Sequence, residues 1–422
     1  VRDLDPSASP LRMPLPCPPD ALRLMAERFG TPTYVYHAPT LRRQAARMHA
    51  MLDGVDADVL YAVKANACPA VVAVLRDAGC GIDAVSPAEL LLGLRLGVDP
   101  AKMQFSPSMP APHEADEAVN AGVLVNLGDL SALDAFGQRH PGADVSLRLN
   151  PGHGAGHHAH VVTAGEGVKF GLKPAEFAEA LTLVDRHSLR LVGLHMHVGS
   201  GLLDASDLVA PLDVLLDLAR TLPDVRVVNV GGGLGQPYRP GEPDYDDDHY
   251  RSVVTTRLAA FAQERPGVRF RVEPGRFLVA QAGVLLASVT VVKDAAVPFV
   301  GTDTGMNHLI RPALYDAYHE IVNLSRTDAP ERPVTVTGNA CESADVFATA
   351  RPLPMPVEGD VLALADAGAY GASMASVYNL RPFPAEVLLD GDGPTLVRER
   401  LSDEAFVAAW LAGTPYALTA GV

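Results

Sequence analysis

The chain has 422 residues, with 34 basic and 50 acidic side chains and a formal net charge of −16. That charge argues against a polyanion such as nucleic acid as partner, although a local arginine cluster can still bind a small anion. Apolar residues make up 48% and charged residues 20%, the balance of a globular protein with a large core. No apolar run approaches the length needed to span a bilayer, which excludes a membrane-crossing helix.

Residues 1–20 are Pro-rich, lack the basic-then-apolar order of a secretory signal, and read as a loose arm. The four cysteines (Cys17, Cys68, Cys80 and Cys341) form no CxxC, which suits reduced thiols in a cytoplasmic enzyme better than disulfides or zinc. Residues 21–40 are expected to join a later β domain. From residue 58 short apolar runs alternate with helical periods: 59–63, 81–85, 103–105, 122–127, 145–149, 191–198, 225–230 and 268–272. One helix start is explicit in Ser86-Pro87-Ala88-Glu89, which offers an N-cap, a first-turn proline and a capping-box glutamate. Eight continuous apolar strands with crossovers predict a parallel sheet buried on both sides, and eight closes a (β/α)8 TIM barrel over 41–280. The run 103–105 is weak, which leaves seven strands or a doubly wound open sheet as alternatives. Beyond residue 280 come β-rich pieces without regular helices between them, predicting a C-terminal all-β domain over 281–422.

In such a barrel, chemistry gathers at the C-terminal ends of the strands. Lys64 follows the first run, Asp83 and Ser86 the second, and Asn150 the fifth. His197 and Ser200 follow the sixth, Gly231-Gly232-Gly233 the seventh, and Glu273-Pro274-Gly275-Arg276 the eighth. Lys64, flanked by apolar residues, is expected to be desolvated, with a lowered pKa and a nucleophilic neutral amine; a rim lysine can also simply snorkel. The three glycines let backbone N–H groups approach a phosphate, or merely make a tight turn. Glu273 and Arg276 could form a rim salt bridge, and His197 could be a satisfied core histidine. Taken together, a lysine, a phosphate cradle, a ring-stacking histidine and a carboxylate match the needs of pyridoxal 5'-phosphate. A carboxylate on the pyridine nitrogen keeps the ring protonated, the strong electron sink that decarboxylation requires.

From about Arg28 to Leu389 the chain resembles the barrel-fold, alanine-racemase-like pyridoxal-phosphate decarboxylases, in particular the branch acting on meso-2,6-diaminopimelate. YAVKAN resembles the cofactor-lysine motif, which implies Lys64 as the covalent attachment. HMHVGSG implies His197 on the pyridine ring and Ser200 near the phosphate. GGGLG implies the phosphate cradle of Gly231, Gly232 and Gly233, while EPGR implies Glu273 on the ring nitrogen, with Gly275 and Arg276 beside it. CESAD implies Cys341 as the proton donor, supplied by the neighbouring subunit of a homodimer with shared active sites. For the distal end of the substrate the resemblance implies Arg276, Arg311, Tyr315, Glu342 and Tyr370, the last also reaching the cofactor. The implied reaction is decarboxylation of meso-diaminopimelate to L-lysine and CO2. Thr304, His308 and Ala344 depart from the family's alanine, aspartate and glycine.

Related readings are a decarboxylase of another diamino acid, an amino-acid racemase and a non-catalytic cofactor carrier. Racemases set an arginine against the ring nitrogen where this chain has Glu273, and carriers resemble the barrel alone. His153, His157, His158 and His160 fall in a Gly-rich stretch without nearby acidic or cysteine ligands before Glu166, so no metal is expected and a mobile loop is. The acidic run Asp244–Asp248 suits a solvated loop entering a helix start.

Overall fold

A computed structural model describes residues 15–152, 165 and 168–412. The histidines from His153 to His160 and Glu166 lie outside the described residues. The chain divides into two compact units: residues 38–282 with 368–373, and residues 15–37 with 283–367 and the segment from 374 onward.

The first strand, β1 (Thr33–His37), belongs to the second unit. The next eight are β2 (Ala57–Ala62), β3 (Gly81–Ala84), β4 (Met103–Phe105), β5 (Leu124–Leu127), β6 (Asp144–Leu149), β7 (Arg190–Met196), β8 (Val227–Asn229) and β9 (Arg269–Val272). They form a closed parallel barrel in chain order, sealed where Val59 of β2 pairs with Val272 of β9. The short apolar run Met103–Phe105 is a true strand, so the count is eight and the open-sheet alternative falls away. Helices follow most strands. That of Pro87–Arg95 begins as its residues dictate: Ser86 Oγ accepts the Glu89 N–H, while the Glu89 carboxylate accepts from Val85, one residue outside the usual box. Asp246 caps the helix start at Asp247 within the acidic run, and Asp247 pairs with Arg47 at 2.6 Å.

The barrel strands bury both faces, yet the interior is not purely apolar. Asp83, Gln104, Asn126, His195, Asn229 and Arg271, each from a different strand, are 5% exposed or less. Such groups tolerate burial only when they bond one another. Asn229 Nδ2 donates to Gln104 Oε1 at 3.0 Å, and Arg271 Nη1 donates to the same oxygen at 3.2 Å.

The second unit is a nine-stranded sheet. Its remaining strands are β10 (Gly283–Lys293), β11 (Phe299–Thr302), β12 (Ile321–Asn323), β13 (Glu331–Thr337), β14 (Val346–Pro354), β15 (Val361–Leu364), β16 (Ala385–Asp390) and β17 (Gly393–Arg398). The main path runs β14-β13-β11-β10-β1-β16-β17, with β15 pairing both β10 and β12. β1 therefore lies between β10, antiparallel, and β16, parallel. Unlike the helix-free reading, this unit carries helices at Pro19–Phe29, Arg311–Tyr315 and Asp403–Ala412. The first packs Leu22 and Met25 into an apolar cluster with Val35, Val284, Leu286 and Val387. Each such buried side chain contributes about 1.5–3 kcal/mol relative to exposure, which is why the helix from Pro19 is ordered on the sheet.

Candidate active site

The barrel unit gathers Lys64, His197, Ser200, the three glycines, Glu273, Gly275, Arg276 and Tyr370 at the C-terminal ends of its strands. Lys64 lies in the turn Val63–Ala65 that closes β2. Its Nζ donates to Asp83 Oδ2 at 2.7 Å; the Asp83 side chain is fully buried, whereas that of Lys64 keeps 37% of its surface. The expectation of a lowered lysine pKa is corrected here. Burial does oppose the charge, but Asp83, Glu273 and Tyr370 outweigh it, and the amine is held well above its ordinary value. The free amine is therefore an ammonium paired with a carboxylate. Asp83 itself is pushed up, by burial first and by the nearby Glu273 charge second, with Lys64 pulling the other way.

Glu273 follows β9 and is 5% exposed. Burial alone would raise its pKa, yet His195 and Lys64 hold it down to about 2. Both oxygens are engaged: His195 Nε2 lies 3.0 Å from Oε2, and Asn229 Nδ2 donates to Oε1 at 2.7 Å. His195 and Asn229 escaped the sequence reading; the signal was a polar residue inside a strand that had to be buried. His197 is different. Its Nδ1 accepts the Gly232 N–H at 3.1 Å, and burial, then Arg148 and Lys64, push its pKa well below the ordinary value. The ring is thus neutral, with its hydrogen on Nε2.

The glycine turn is dictated by close approach. A Cβ on Gly231 would stand 2.2 Å from the Met196 carbonyl oxygen, and one on Gly232 would stand 2.1 Å from that of Glu273. Gly231 donates its N–H to Asn229 Oδ1 at 2.8 Å. Since Gly232 donates to His197, both N–H groups are spent internally, and among the described residues only Gly233 of the three keeps its N–H free. Beside this turn, the Arg276 guanidinium lies 3.3–3.4 Å from Ser200 Oγ, donates to the Tyr238 hydroxyl at 2.9 Å, and stands 5.0 Å over the Tyr370 ring. The Tyr370 N–H donates to Ala65 O at 2.8 Å, which ties that segment to the lysine turn. Gly275 keeps the two turns close: a Cβ there would sit 3.1 Å from that of Ala65.

These residues fit pyridoxal phosphate. A lysine amine lies near an ionised carboxylate, a neutral imidazole bonds the glycine turn, and an arginine, a serine hydroxyl and a glycine N–H stand where an anionic group can be received. The turn admits only glycine, and Asp83 Oδ1 is buried with no hydrogen bond among the described residues. Among the described residues no group of three or more metal-ligating side chains is placed to hold an ion. No described helix is long and apolar enough to cross a membrane.

The other four residues singled out from the sequence lie in the second unit. Arg311 is 2% exposed and donates to His319 Nε2 at 2.9 Å, and Tyr315 is half-buried on the same short helix. Cys341 and Glu342 are exposed, the Cys341 N–H donating to Asn379 Oδ1 at 2.7 Å. The departures at positions 304 and 308 prove to be partners. His308 Nε2 lies 3.0 Å from the Pro382 carbonyl and so carries hydrogen, which leaves Nδ1 to accept the Thr304 hydroxyl at 3.0 Å.

Residues 39–280 match the family described as pyridoxal-dependent decarboxylase, pyridoxal binding domain. The chain belongs to the pyridoxal-dependent decarboxylases. Within that class it is similar to the diaminopimelate decarboxylase of Methanothermobacter thermautotrophicus, 39% identical over 90% of this chain and 91% of that one. It is also similar to that of Escherichia coli K12, 38% identical over 92% and 95%. Among solved structures, the diaminopimelate decarboxylase of Helicobacter pylori complexed with L-lysine aligns with a TM-score of 0.86 at 29% identity, covering 93% of this chain and all of that one. A further diaminopimelate decarboxylase structure aligns at 0.84 with 37% identity, over 93% and 96%.

Proposed function

We propose that the protein removes CO2 from meso-2,6-diaminopimelate to give L-lysine, using pyridoxal phosphate. The observation that carries the reading is the Lys64 amine, 2.7 Å from Asp83 and in the field of the ionised Glu273, at the end of a barrel strand. When bound, the cofactor supplies an electron sink for the pair of electrons left behind as CO2 departs. Lys64 would hold it covalently, and Arg276, Ser200, Tyr370 and Gly233 would hold its phosphate. Glu273, kept ionised by His195 and Lys64 and bonded by Asn229, would hold a proton on the ring nitrogen. His197 would lie on the ring as an uncharged surface.

The Cys341 thiol would return a proton to the substrate carbon that lost CO2. Its exposure, with that of Glu342, supports the reading that a second copy of the chain uses both, so that the working unit is a homodimer with shared active sites. Arg311, Tyr315, Glu342 and Arg276 would read the far end of the substrate, arginine forking onto the carboxylate and Glu342 meeting the ammonium. Four free thiols suit the cytoplasm as the place of work.

The test is CO2 release by purified, cofactor-loaded protein from meso-diaminopimelate, ornithine, arginine and lysine at equal concentration. Strong preference for diaminopimelate is expected. Release only from another amine would keep the decarboxylase and discard the two-ended recognition. No release from any of the four would discard the reading.

A further inference from the structure

Arg311 opens the helix Arg311–Tyr315 and is almost wholly buried. A guanidinium donates hydrogen bonds and never accepts them, so its orientation in the interior is set by the acceptors around it. One acceptor is unusual. Nη1 of Arg311 lies 2.9 Å from Nε2 of His319, while Nδ1 of the same ring lies 2.8 Å from the Ala365 carbonyl oxygen. A carbonyl only accepts, so Nδ1 carries the hydrogen. The guanidinium only donates, so Nε2 presents its lone pair. The two partners thereby fix both the tautomer and the neutral charge of the imidazole.

The ring is anchored to rigid backbone. His319 stands two residues before β12, and Ala365 directly follows β15; these strands pair with Ile321 opposite Leu364. The Ala365 N–H returns to the Glu320 carbonyl oxygen at 2.8 Å, which closes the bracket beneath the ring. His319 is 1% exposed, so its ring is held in place by packing as well as by its two bonds.

We propose that His319 is a positioning residue for substrate selection: through its Nε2 lone pair it holds the Arg311 guanidinium in the orientation that receives the distal carboxylate of a two-ended amino-acid substrate. The inference rests on the function proposed above and on Arg311 as the reader of that carboxylate. It assigns to His319 no contact with substrate or cofactor. The effect therefore falls on binding of the distal group and leaves the bond-breaking step nearly untouched.

Two substitutions separate the two ring nitrogens. His319→Gln places an amide oxygen near the Nε2 position, able to accept from Arg311. His319→Asn places an amide near the Nδ1 position, able to donate to Ala365 O while offering Arg311 nothing. Both variants are made as cofactor-loaded full chains, beside wild type, Arg311→Ala and the Arg311→Ala/His319→Asn double variant, each checked by thermal melting. In His319→Asn, KM for meso-diaminopimelate should rise about ten- to a hundredfold, the worth of one charged hydrogen bond, with kcat within about threefold. His319→Gln should restore most of the loss, and the double variant should be no worse than Arg311→Ala alone. Inhibition by L-lysine, which keeps the distal carboxylate after CO2 has left the reacting end, should weaken about as much as KM rises in His319→Asn and recover in His319→Gln.

The failures are distinguishable. A wild type inert toward diaminopimelate overturns the proposed function, and this inference with it. An unchanged KM in Arg311→Ala overturns the assignment of Arg311. A raised KM in Arg311→Ala, with His319→Asn equal to wild type or to His319→Gln, overturns the positioning role alone, as does lysine inhibition that keeps its wild-type strength while KM rises.

Discussion

In the barrel unit, polar side chains from different strands join into one chain of hydrogen bonds: Arg271 to Gln104, Gln104 to Asn229, Asn229 to Glu273 and Glu273 to His195. In the sheet unit, buried polar groups form separate knots, such as Thr304 with His308 and Arg311 with His319. At the end of that network Glu273 stays ionised despite burial because His195 and Lys64 stand beside it, while Asp83 is pushed the other way by burial and by the Glu273 charge. A knot has only its own members. Substitutions in the barrel network should therefore reach the chemistry, whereas those in a knot should act locally.

The largest test is Lys64→Ala. It removes the amine and leaves the buried Asp83 carboxylate without its partner. Turnover should fall by more than about 10³-fold, and the near-visible absorbance of lysine-bound cofactor should vanish. Full activity in this variant would defeat the cofactor assignment. Next, Glu273→Gln should lower kcat by about 10²–10³-fold in steady-state kinetics. The same carboxylate has a signature in acid. Because its folded pKa lies below the ordinary carboxylate value, its stabilisation is complete above about pH 5 and is lost as pH falls toward 2. The melting midpoints of wild type and Glu273→Gln should converge over that range.

A knot behaves in the opposite sense at Asp366. Burial raises its carboxyl to about 7, with Arg311 opposing and Glu320 adding to the rise. The folded state therefore loses stability as pH climbs from about 4 to 7, and the loss is constant above. Asp366→Asn should raise the melting midpoint by about 2–6 °C at pH 8 and by little at pH 4. A gain independent of pH would show that packing, not charge, is responsible. The smallest effect belongs to the Thr304–His308 pair. Either Thr304→Ala or His308→Asp alone should cost about 1 kcal/mol, and the two together less than their sum, read as thermal midpoints in a double-mutant cycle.

The barrel was legible because eight apolar runs with crossovers admit few topologies, and the turn residues Ser86, Pro87 and Glu89 act within three positions of one another. The site was legible where it falls at strand ends. Lys64 was misjudged because its flanks suggested an apolar setting, while the group that decides its charge, Asp83, is 19 residues away in sequence and 2.7 Å away in space. His195 and Asn229 stayed hidden for a related reason: an apolar run shows that a strand is buried, not which inward side chains meet across the barrel. The helix of Pro19–Phe29 was missed because its few buried positions, Leu22, Met25 and Ala26, are read against a Pro-rich background.

The place of β1 in its sheet bears on biosynthesis. Residues 33–37 leave the ribosome before their neighbours 283–286 and 385–389, which emerge about 250 and 350 residues later, the whole barrel being translated in between. At roughly 5–20 residues per second, this strand waits on the order of 20–70 s before both edges are covered. The nascent chain can complete its barrel within that interval, whereas both edges of β1 are covered only once residues 385–389 have emerged.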